Sequence, residues 1–131
     1  MKKNASSSIK ARLKSFSYAF KGFKHLVINE PNFKIHLVAA VLVFSAGFYF
    51  QIQVIEWALL GICIGAVLSA EAINTALELL CDEISPEQNP TIGKIKDMSA
   101  FAVLIVSLVA LAIGCLLFIP YLSDAFSQNF S

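Results

Sequence analysis

The stretch "WALLGICIGAVLSAEAINTALELLCDE", residues 57–83, decides the fold of this chain. Its first half is an unbroken apolar run, and the helical pattern continues into a second half that carries Glu71, Asn74, Glu78 and Asp82. These four residues are spaced i, i+3, i+7 and i+11, so they share one face of a helix. An apolar helix of this length suits a lipid bilayer, and the carboxylates at its end therefore need a chemical explanation.

The composition of the whole chain is that of a membrane protein. Of its 131 residues, 57% are hydrophobic and only 15% are charged, whereas a soluble domain has about 45–50% apolar and about 25% charged residues. The apolar excess collects in runs close to the roughly 20 residues that cross a hydrocarbon core. We therefore expect a single integral membrane domain covering residues 1–131.

The order of the apolar and polar segments predicts an all-α fold. An amphipathic surface helix is expected over residues 9–28, and membrane helices are expected over 33–50, 54–81 and 98–122, with a loop over 82–97. One stripe of the first helix is apolar and basic residues cover the remainder, as in helices that lie in the plane of an anionic membrane. The alternative for this helix is packing against a soluble partner. The apolar stripe consists of Ile9, Leu13, Phe16, Phe20, Phe23 and Val27.

The distribution of positive charge predicts the orientation. Eight of the ten Lys and Arg residues lie within residues 1–34, and the other two, Lys94 and Lys96, lie in the 82–97 loop. Three spans place these two regions on the same side, and the positive-inside rule makes that side cytoplasmic. We therefore expect a multi-pass protein of the cytoplasmic (inner) membrane with a cytoplasmic N-terminus.

The carboxylates of the second membrane helix are the candidate functional groups. Glu71 lies roughly 10 Å deeper than Glu78 at the α-helical rise, and an ionisable residue at that depth costs at least a few kcal/mol unless it is paired or hydrated. Asn74 has an alternative role, because its amide can hydrogen-bond across a helix interface. The spacing of Cys63, Cys81 and Cys115 indicates neither a metal site nor a disulfide framework.

This arrangement favours phosphoryl transfer to an alcohol dissolved in the membrane. Carboxylates at the membrane face can hold a divalent cation together with nucleotide phosphates, and a deeper carboxylate can take a proton from a hydroxyl at headgroup level. The chain has neither the G-x-x-x-x-G-K-[ST] nor the G-x-G-x-x-G motif of soluble nucleotide-binding proteins. A non-enzymatic membrane carrier or scaffold remains the alternative of another class.

Three motifs resemble those of one known family. The segments "NEPNF" (29–33), "EAINTALELLCD" (71–82) and "KDMSAFAVL" (96–104) resemble motifs of the prokaryotic diacylglycerol kinase and undecaprenol kinase family. The basic amphipathic segment "RLKSFSYAFKGF" (12–23) fits as well. On this resemblance, the chain is expected to be a small membrane lipid kinase that forms homotrimers with active sites shared between subunits.

The resemblance implies that the chain transfers a phosphate from ATP, with Mg²⁺, to the hydroxyl of a membrane lipid and that it does not bind nucleic acid. The segments "FKIH" (33–36) and "IEW" (55–57) resemble the undecaprenol kinase branch, so undecaprenol is the expected acceptor. Diacylglycerol, which would give phosphatidic acid, is the alternative.

The resemblance also implies roles for individual residues. Glu71 would be the general base, and Glu30 and Glu78 would bind the metal ion. Ala11 stands where the family usually has a nucleotide-binding arginine, with Lys10 and Arg12 beside it. The implied nucleotide-binding residues are Tyr18, Glu30, Glu78, Glu87, Gln88, Asn89, Lys96 and Asp97. The implied substrate-binding residues are Asn32, Phe33, His36, Glu71 and Asn74.

Overall fold

The fold consists of four α-helices, seen in a computed structural model that describes residues 5–85 and 89–129, with side chains described over 9–85 and 89–127. The helices are α1 (Ala5–Asn29), α2 (Pro31–Phe50), α3 (Val54–Ile84) and α4 (Pro90–Asn129). Helices α2, α3 and α4 are each long and apolar enough to cross a membrane. The prediction of an all-α protein with one N-terminal helix and three membrane-spanning helices is confirmed.

A sharp corner separates α1 from α2. Glu30 adopts an extended conformation, and Pro31 begins α2, where its fixed φ angle suits the first position of a helix. The Lys34 ammonium donates a hydrogen bond of 2.8 Å to the carbonyl oxygen of Ile28, so a cation lies at the C-terminal end of α1, where the helix dipole favours it. The rings of Phe23 and Phe33 meet edge to face with centroids 6.0 Å apart. Together these contacts fix the direction in which α1 leaves the bundle.

The connection between α3 and α4 is shorter than the sequence indicated. The sequence predicted a loop over 82–97, but α3 continues to Ile84 and α4 already begins at Pro90. The reason is the start signal at residues 89–91, where the Asn89 side-chain oxygen accepts a 2.9 Å hydrogen bond from the Thr91 backbone N–H. Such a side-chain oxygen satisfies one of the unpaired N–H groups of the first helical turn, and Pro90 lacks an N–H to satisfy.

Helix α4 also extends beyond its predicted end at residue 122. It runs through Pro120 and reaches Asn129. A proline inside a helix removes one backbone hydrogen bond and usually kinks or ends the helix. Membrane helices tolerate proline more readily because neighbouring groups re-satisfy the backbone, and the Tyr121 hydroxyl ties this part of α4 to α3 through a 2.6 Å hydrogen bond to Glu56.

A tight turn joins α2 to α3 at the other end of the bundle. Gln51 has a positive φ of 52°, which lets its N–H bond back to carbonyls of the last turn of α2. Gln53 and Glu56 then form a reciprocal capping box at the start of α3, the arrangement that satisfies two orphan N–H groups at a helix start. Since Glu56 also accepts the Tyr121 hydrogen bond, one carboxylate holds the turn and the end of α4 together.

Helix α3 packs against both α2 and α4, most extensively against α4. At the turn end of the bundle, the buried residues Ile52, Leu60 and Leu117 form an apolar core with Phe50, Phe118 and Tyr121 packed around it. This core and its aromatic shell close one end of the bundle. The polar residues of α3 that are buried, Glu71, Asn74 and Thr75, lie towards the opposite end.

Gly47 permits a close approach of α2 to the side chain of Trp57 at the start of α3. A Cβ atom added at this glycine would lie 2.7 Å from Cη2 of Trp57 and 3.1 Å from Cδ1 of Ile52. Those distances are too short for ordinary contact, so the indole ring or the helix would have to move. The buried position of Gly47 leaves little room for that movement.

We expect Gly47→Ala to lower the free energy of unfolding by about 1–3 kcal/mol, the usual cost of overpacking a well-packed site. The measurement is the free energy of unfolding in detergent micelles with increasing denaturant. Gly22→Ala is the control, since a Cβ at Gly22 meets nothing within 4 Å. Equal stability of Gly47→Ala and the unchanged protein would contradict this account of the α2–α3 contact.

Candidate active site

Glu71 is buried where α2 and α3 meet near the α1–α2 corner. Only 3% of its surface is exposed, although it lies inside a helix that is apolar enough to cross a membrane. The side chains of Asn32, Glu30, Glu78 and His36 all lie close enough to interact with its carboxylate. The α1–α2 corner and the first turns of α2 therefore bring Glu30, Asn32 and His36 to a carboxylate of α3 that also has Glu78 of its own helix nearby.

A hydrogen-bonded chain crosses from α3 to α4 beside Glu71. The Asn74 side chain, 5% exposed, donates through Nδ2 to Oε1 of Glu78 at 2.9 Å. The Ser99 hydroxyl of α4 donates to Oδ1 of the same Asn74 side chain. Both ends of the Asn74 carboxamide are thus engaged, and the position of Glu78 is connected to α4.

A second contact joins the same two helices one turn further along. The Lys96 ammonium donates to Oδ1 of Asp82 at 2.9 Å, with 35% and 66% of the two side chains exposed. An ion pair this exposed contributes little to stability. The ion pair matters for its position. It holds Lys96, which is predicted to contact the nucleotide, close to the carboxylates of α3.

An apolar groove of about 420 Å³ runs along α3 between α2 and α4. Its end nearest Glu71 is lined by His36, Val67 and Leu68, and the last two lie one helical turn before Glu71. Further along, Ala40, Ala110 and Gly114 are among the small residues that open the space. The Ser107 hydroxyl also lines the groove and is buried without a hydrogen-bond partner among the described residues.

Two other predicted site residues, Phe33 and Tyr18, have their own neighbours in the structure. Phe33 is 3% exposed and its ring packs against Phe23 of α1. Within a single subunit, Phe33 therefore stabilises the α1–α2 corner. Tyr18 is 56% exposed on α1, with the ammonium groups of Lys14 and Lys21 each 5.8 Å from its ring centroid.

The connection before α4 and the first turns of α4 hold the remaining predicted residues. Asn89 caps α4 through its side-chain oxygen, and Asp97 is exposed on the first turns of that helix. Glu87 and Gln88, predicted to contact nucleotide, lie outside the described residues.

Ser99 is the site neighbour that the sequence analysis missed. It lies within the quoted segment "KDMSAFAVL", but nothing in that segment shows which side chain of α3 it meets. Its contact with Asn74 spans 25 residues, and helical periodicity relates only residues within one helix. A weak signal was present, since serine is a small polar residue that hydrogen-bonds across membrane helices.

The oxygen-rich set around Glu71 suits a magnesium ion that arrives with phosphate. Within the described part of the chain, no group of three or more His, Cys, Asp and Glu side chains is arranged to hold a metal by itself. Mg²⁺ in nucleotide sites is usually bound by one or two carboxylates, with phosphate oxygens and waters completing the octahedron. Glu30 and Glu78, both near Glu71, supply that kind of partial ligand set.

Comparison with known proteins identifies the family. Residues 17–118 match the family described as prokaryotic diacylglycerol kinase. The chain belongs to this family. It is therefore a lipid kinase, a phosphotransferase acting on an alcohol with ATP as phosphate donor, and a multi-pass membrane protein. The expected lipid kinase activity is confirmed, in place of a non-enzymatic carrier or scaffold.

Individual relatives in the family carry two different names. The chain is 36% identical to the undecaprenol kinase of Bacillus subtilis over 109 residues, which is 83% of this chain and 89% of that protein. It is 34% identical to the diacylglycerol kinase of Synechocystis sp. over 125 residues, 94% of this chain and 71% of that protein. The diacylglycerol kinase of Escherichia coli is 32% identical over 105 residues, 80% of this chain and 86% of that protein.

We expect the two α3–α4 contacts to differ in their effect on stability. Asn74→Ala removes the buried partner of both Glu78 and Ser99 and should lower the free energy of unfolding by about 1–2 kcal/mol, the range for hydrogen bonds between membrane helices in model peptides. Asp82→Asn removes only the exposed ion pair and should leave the unfolding midpoint unchanged. Denaturant titration of both variants in detergent micelles measures the difference, and a larger loss in Asp82→Asn would contradict it.

Proposed function

We propose that this lipid kinase transfers the γ-phosphate of ATP to the hydroxyl of undecaprenol, with Glu71 as the general base. The observation that carries the proposal is the position of the Glu71 carboxylate. It is almost fully buried in a membrane-spanning helix, with two further carboxylates near it and an apolar groove leading towards it. A lipid hydroxyl and a nucleotide phosphate could meet at this point.

The proposed reaction begins with the acceptor hydroxyl beside Glu71. The carboxylate takes the hydroxyl proton while the hydroxyl oxygen forms a bond to the γ-phosphorus, and the bond from that phosphorus to the β–γ bridging oxygen breaks to release ADP. The products are the lipid monophosphate, ADP and a proton held by Glu71. A positioned general base contributes about 10²–10⁴-fold to such a transfer, and the rest of the acceleration comes from alignment and charge neutralisation.

Glu30 and Glu78 are the proposed ligands of the Mg²⁺ that accompanies ATP. When bound, this ion neutralises negative charge on the phosphates during transfer. Asn74 holds one Glu78 oxygen through its 2.9 Å hydrogen bond, which leaves the second oxygen of that carboxylate for the ion. We assign Asn32 and His36, both beside Glu71, to orienting the acceptor hydroxyl, together with Phe33 and Asn74.

The nucleotide is proposed to lie at the end of the bundle that carries Lys96 and Asp97. Lys96 already lies beside carboxylates of α3 through its bond to Asp82, and an ammonium group there can contact a phosphate. Tyr18 offers an aromatic face flanked by two lysines, a combination that suits both a base and a phosphate. Asn89, with Glu87 and Gln88, is proposed to complete the contacts.

Several observations support undecaprenol as acceptor. The relative named undecaprenol kinase is 36% identical to this chain, and the segments 33–36 and 55–57 resemble that branch of the family. The groove is apolar along its length and extends from His36 to Leu122, which suits a long hydrocarbon tail. Diacylglycerol is the second candidate, because the relative that covers 94% of this chain is named diacylglycerol kinase.

We further propose a homotrimer in the cytoplasmic membrane, with the N-terminus in the cytoplasm. The orientation rests on the basic residues, eight of which lie within residues 1–34, and on the positive-inside rule. The trimer is supported by the exposure of Tyr18 on α1, since a neighbouring subunit could bring such a residue to the site.

Glu71→Gln should lower kcat by about 10²–10⁴-fold, because an amide cannot accept the hydroxyl proton. Binding of ATP should remain, since the proposed nucleotide contacts are made by other residues. The assay measures phosphate transfer from radiolabelled ATP in detergent with Mg²⁺, and ATP binding is measured separately. Glu83→Gln, an exposed glutamate of the same helix, is the matched control. Turnover at the normal rate in Glu71→Gln would exclude Glu71 as the base.

The same assay distinguishes the acceptors when undecaprenol and diacylglycerol are offered separately and in competition. Preferential labelling of undecaprenol is the expected result, with the physical basis that a long tail fills the apolar groove. Preferential labelling of diacylglycerol would replace undecaprenol by the second candidate. If the folded, ATP-binding protein labels neither lipid, both acceptor assignments are wrong.

A bulky side chain in the groove should weaken binding of the lipid substrate more than binding of ATP. Ala110→Phe places a ring in the space between α2, α3 and α4, so we expect a higher KM for the lipid and an unchanged KM for ATP. Ala112→Phe, at an exposed position of the same helix, is the control for a bulky residue outside the groove. An unchanged KM for the lipid in Ala110→Phe would show that the tail lies elsewhere.

A further inference from the structure

The Asn74 side chain connects Glu78 with α4 and depends on its partners for its orientation. A carboxamide has an oxygen on one side and an NH₂ group on the other, so its neighbours decide which group faces which partner. Here the NH₂ group faces Glu78 at 2.9 Å and the oxygen faces Ser99. Because Asn74 is 5% exposed, water offers little help to either group.

The Ser99 hydroxyl has one proton and two oxygens within reach. One is Oδ1 of Asn74 and the other is the backbone carbonyl of Lys96 at 3.0 Å. The carbonyl belongs to the interior of a continuous helix, where a backbone N–H already serves it. The Asn74 oxygen is buried, and a buried acceptor left without a donor costs about 1–3 kcal/mol. We therefore expect the Ser99 hydroxyl to donate its proton to Oδ1 of Asn74 rather than to the Lys96 carbonyl.

We propose that Ser99 is a positioning residue of the kinase, which acts through Asn74 to orient the Glu78 carboxylate for the divalent cation. This inference rests on the proposed metal role of Glu78. The Ser99 hydroxyl holds the Asn74 oxygen and the Asn74 NH₂ group holds Oε1 of Glu78, so the second Glu78 oxygen would be left to hold the ion. Ser99 itself touches neither substrate nor metal.

The hydrogen bonds of Ser99 also bear on the position of α4 relative to α3. Lys96 lies one turn before Ser99 on the same helix and bonds to Asp82 of α3, four residues beyond Glu78. The helix that carries the proposed nucleotide residues Lys96 and Asp97 is thereby held in register with the helix that carries the proposed metal ligand. Ser99 thus relates the placement of the phosphates to the placement of the cation.

The test is the affinity for a divalent cation in the presence of ATP, with Mn²⁺ as the paramagnetic probe and no lipid present. Loss of a direct hydrogen-bond partner of a metal ligand typically weakens metal binding about 10–100-fold. Asn74 is that partner here, so Ser99→Ala, which removes the support of Asn74, should weaken Mn²⁺ binding by up to that range. Electron paramagnetic resonance measures the free Mn²⁺. The Mg²⁺ concentration for half-maximal kinase activity should rise by a similar factor, while the KM for the lipid stays unchanged.

Three further variants separate positioning from folding. Ser99→Thr keeps a hydroxyl and should restore Mn²⁺ affinity, whereas Ser99→Cys keeps the volume with a much weaker donor and should not. Ser45→Ala is the matched control, because the Ser45 hydroxyl donates to the carbonyl of Val41 in its own helix, at 2.8 Å. Thermal unfolding without ATP or metal identifies any variant whose loss of affinity reflects loss of fold.

A double-mutant cycle with Asn74→Ala tests whether Ser99 acts on Glu78 through Asn74. If Ser99 acts through Asn74, then Ser99→Ala should have no further effect on Mn²⁺ affinity in the Asn74→Ala background. An equal loss in both backgrounds would overturn the route, and normal Mn²⁺ affinity in folded Ser99→Ala would overturn the proposal. Glu78→Gln distinguishes failure of the proposed metal role of Glu78 from failure of the proposed role of Ser99. Normal Mn²⁺ affinity in that variant would remove the metal role of Glu78, and the role of Ser99 would be lost with it.

Discussion

The burial of the Glu71 carboxylate is the constraint on which the rest of the site depends. A charge in a membrane-spanning helix costs several kcal/mol unless polar groups surround it, and Glu71 is 3% exposed. The surrounding groups come from the α1–α2 corner, which supplies Asn32 and His36. The corner must therefore lie at the depth of Glu71, and Pro31 makes this possible by ending one helix and starting the next without a connecting loop.

The contact between α3 and α4 differs in chemistry along its length. Near Glu71 it is made by Asn74 and Ser99, whereas near the α2–α3 turn it is made by apolar and aromatic side chains together with the hydrogen bond between Glu56 and Tyr121. Hydrogen bonds fix the distance and the relative orientation of the groups that they join. Apolar and aromatic packing fills the space between helices with less constraint on the orientation of individual side chains. The end that carries the candidate site is therefore the end at which Asn74 and Ser99 join the two helices by a hydrogen bond. The opposite end closes the bundle.

Composition and periodicity were sufficient for the fold and for the face of α3 that carries the carboxylates. The three long apolar runs predicted the membrane-spanning helices, and the spacing of Glu71, Asn74 and Glu78 placed them on one face. Two features were outside the reach of periodicity. The start of α4 depends on the cap supplied by Asn89, a local hydrogen bond rather than a pattern. The Ser99 contact depends on the register between two helices, which only packing determines.

Repulsion at the Glu71 carboxylate bears on the proposed phosphoryl transfer by such a small chain. Glu30 and Glu78 each lie close enough to Glu71 to interact with it electrostatically, and like charges around a buried carboxylate disfavour one another. A divalent cation that arrives with the phosphates would relieve this repulsion and gain ligands in the same step. Phosphoryl transfer requires positioning and charge neutralisation more than covalent help from the protein. A site of this kind needs few residues, provided that helix packing holds their carboxylates together before the substrate binds.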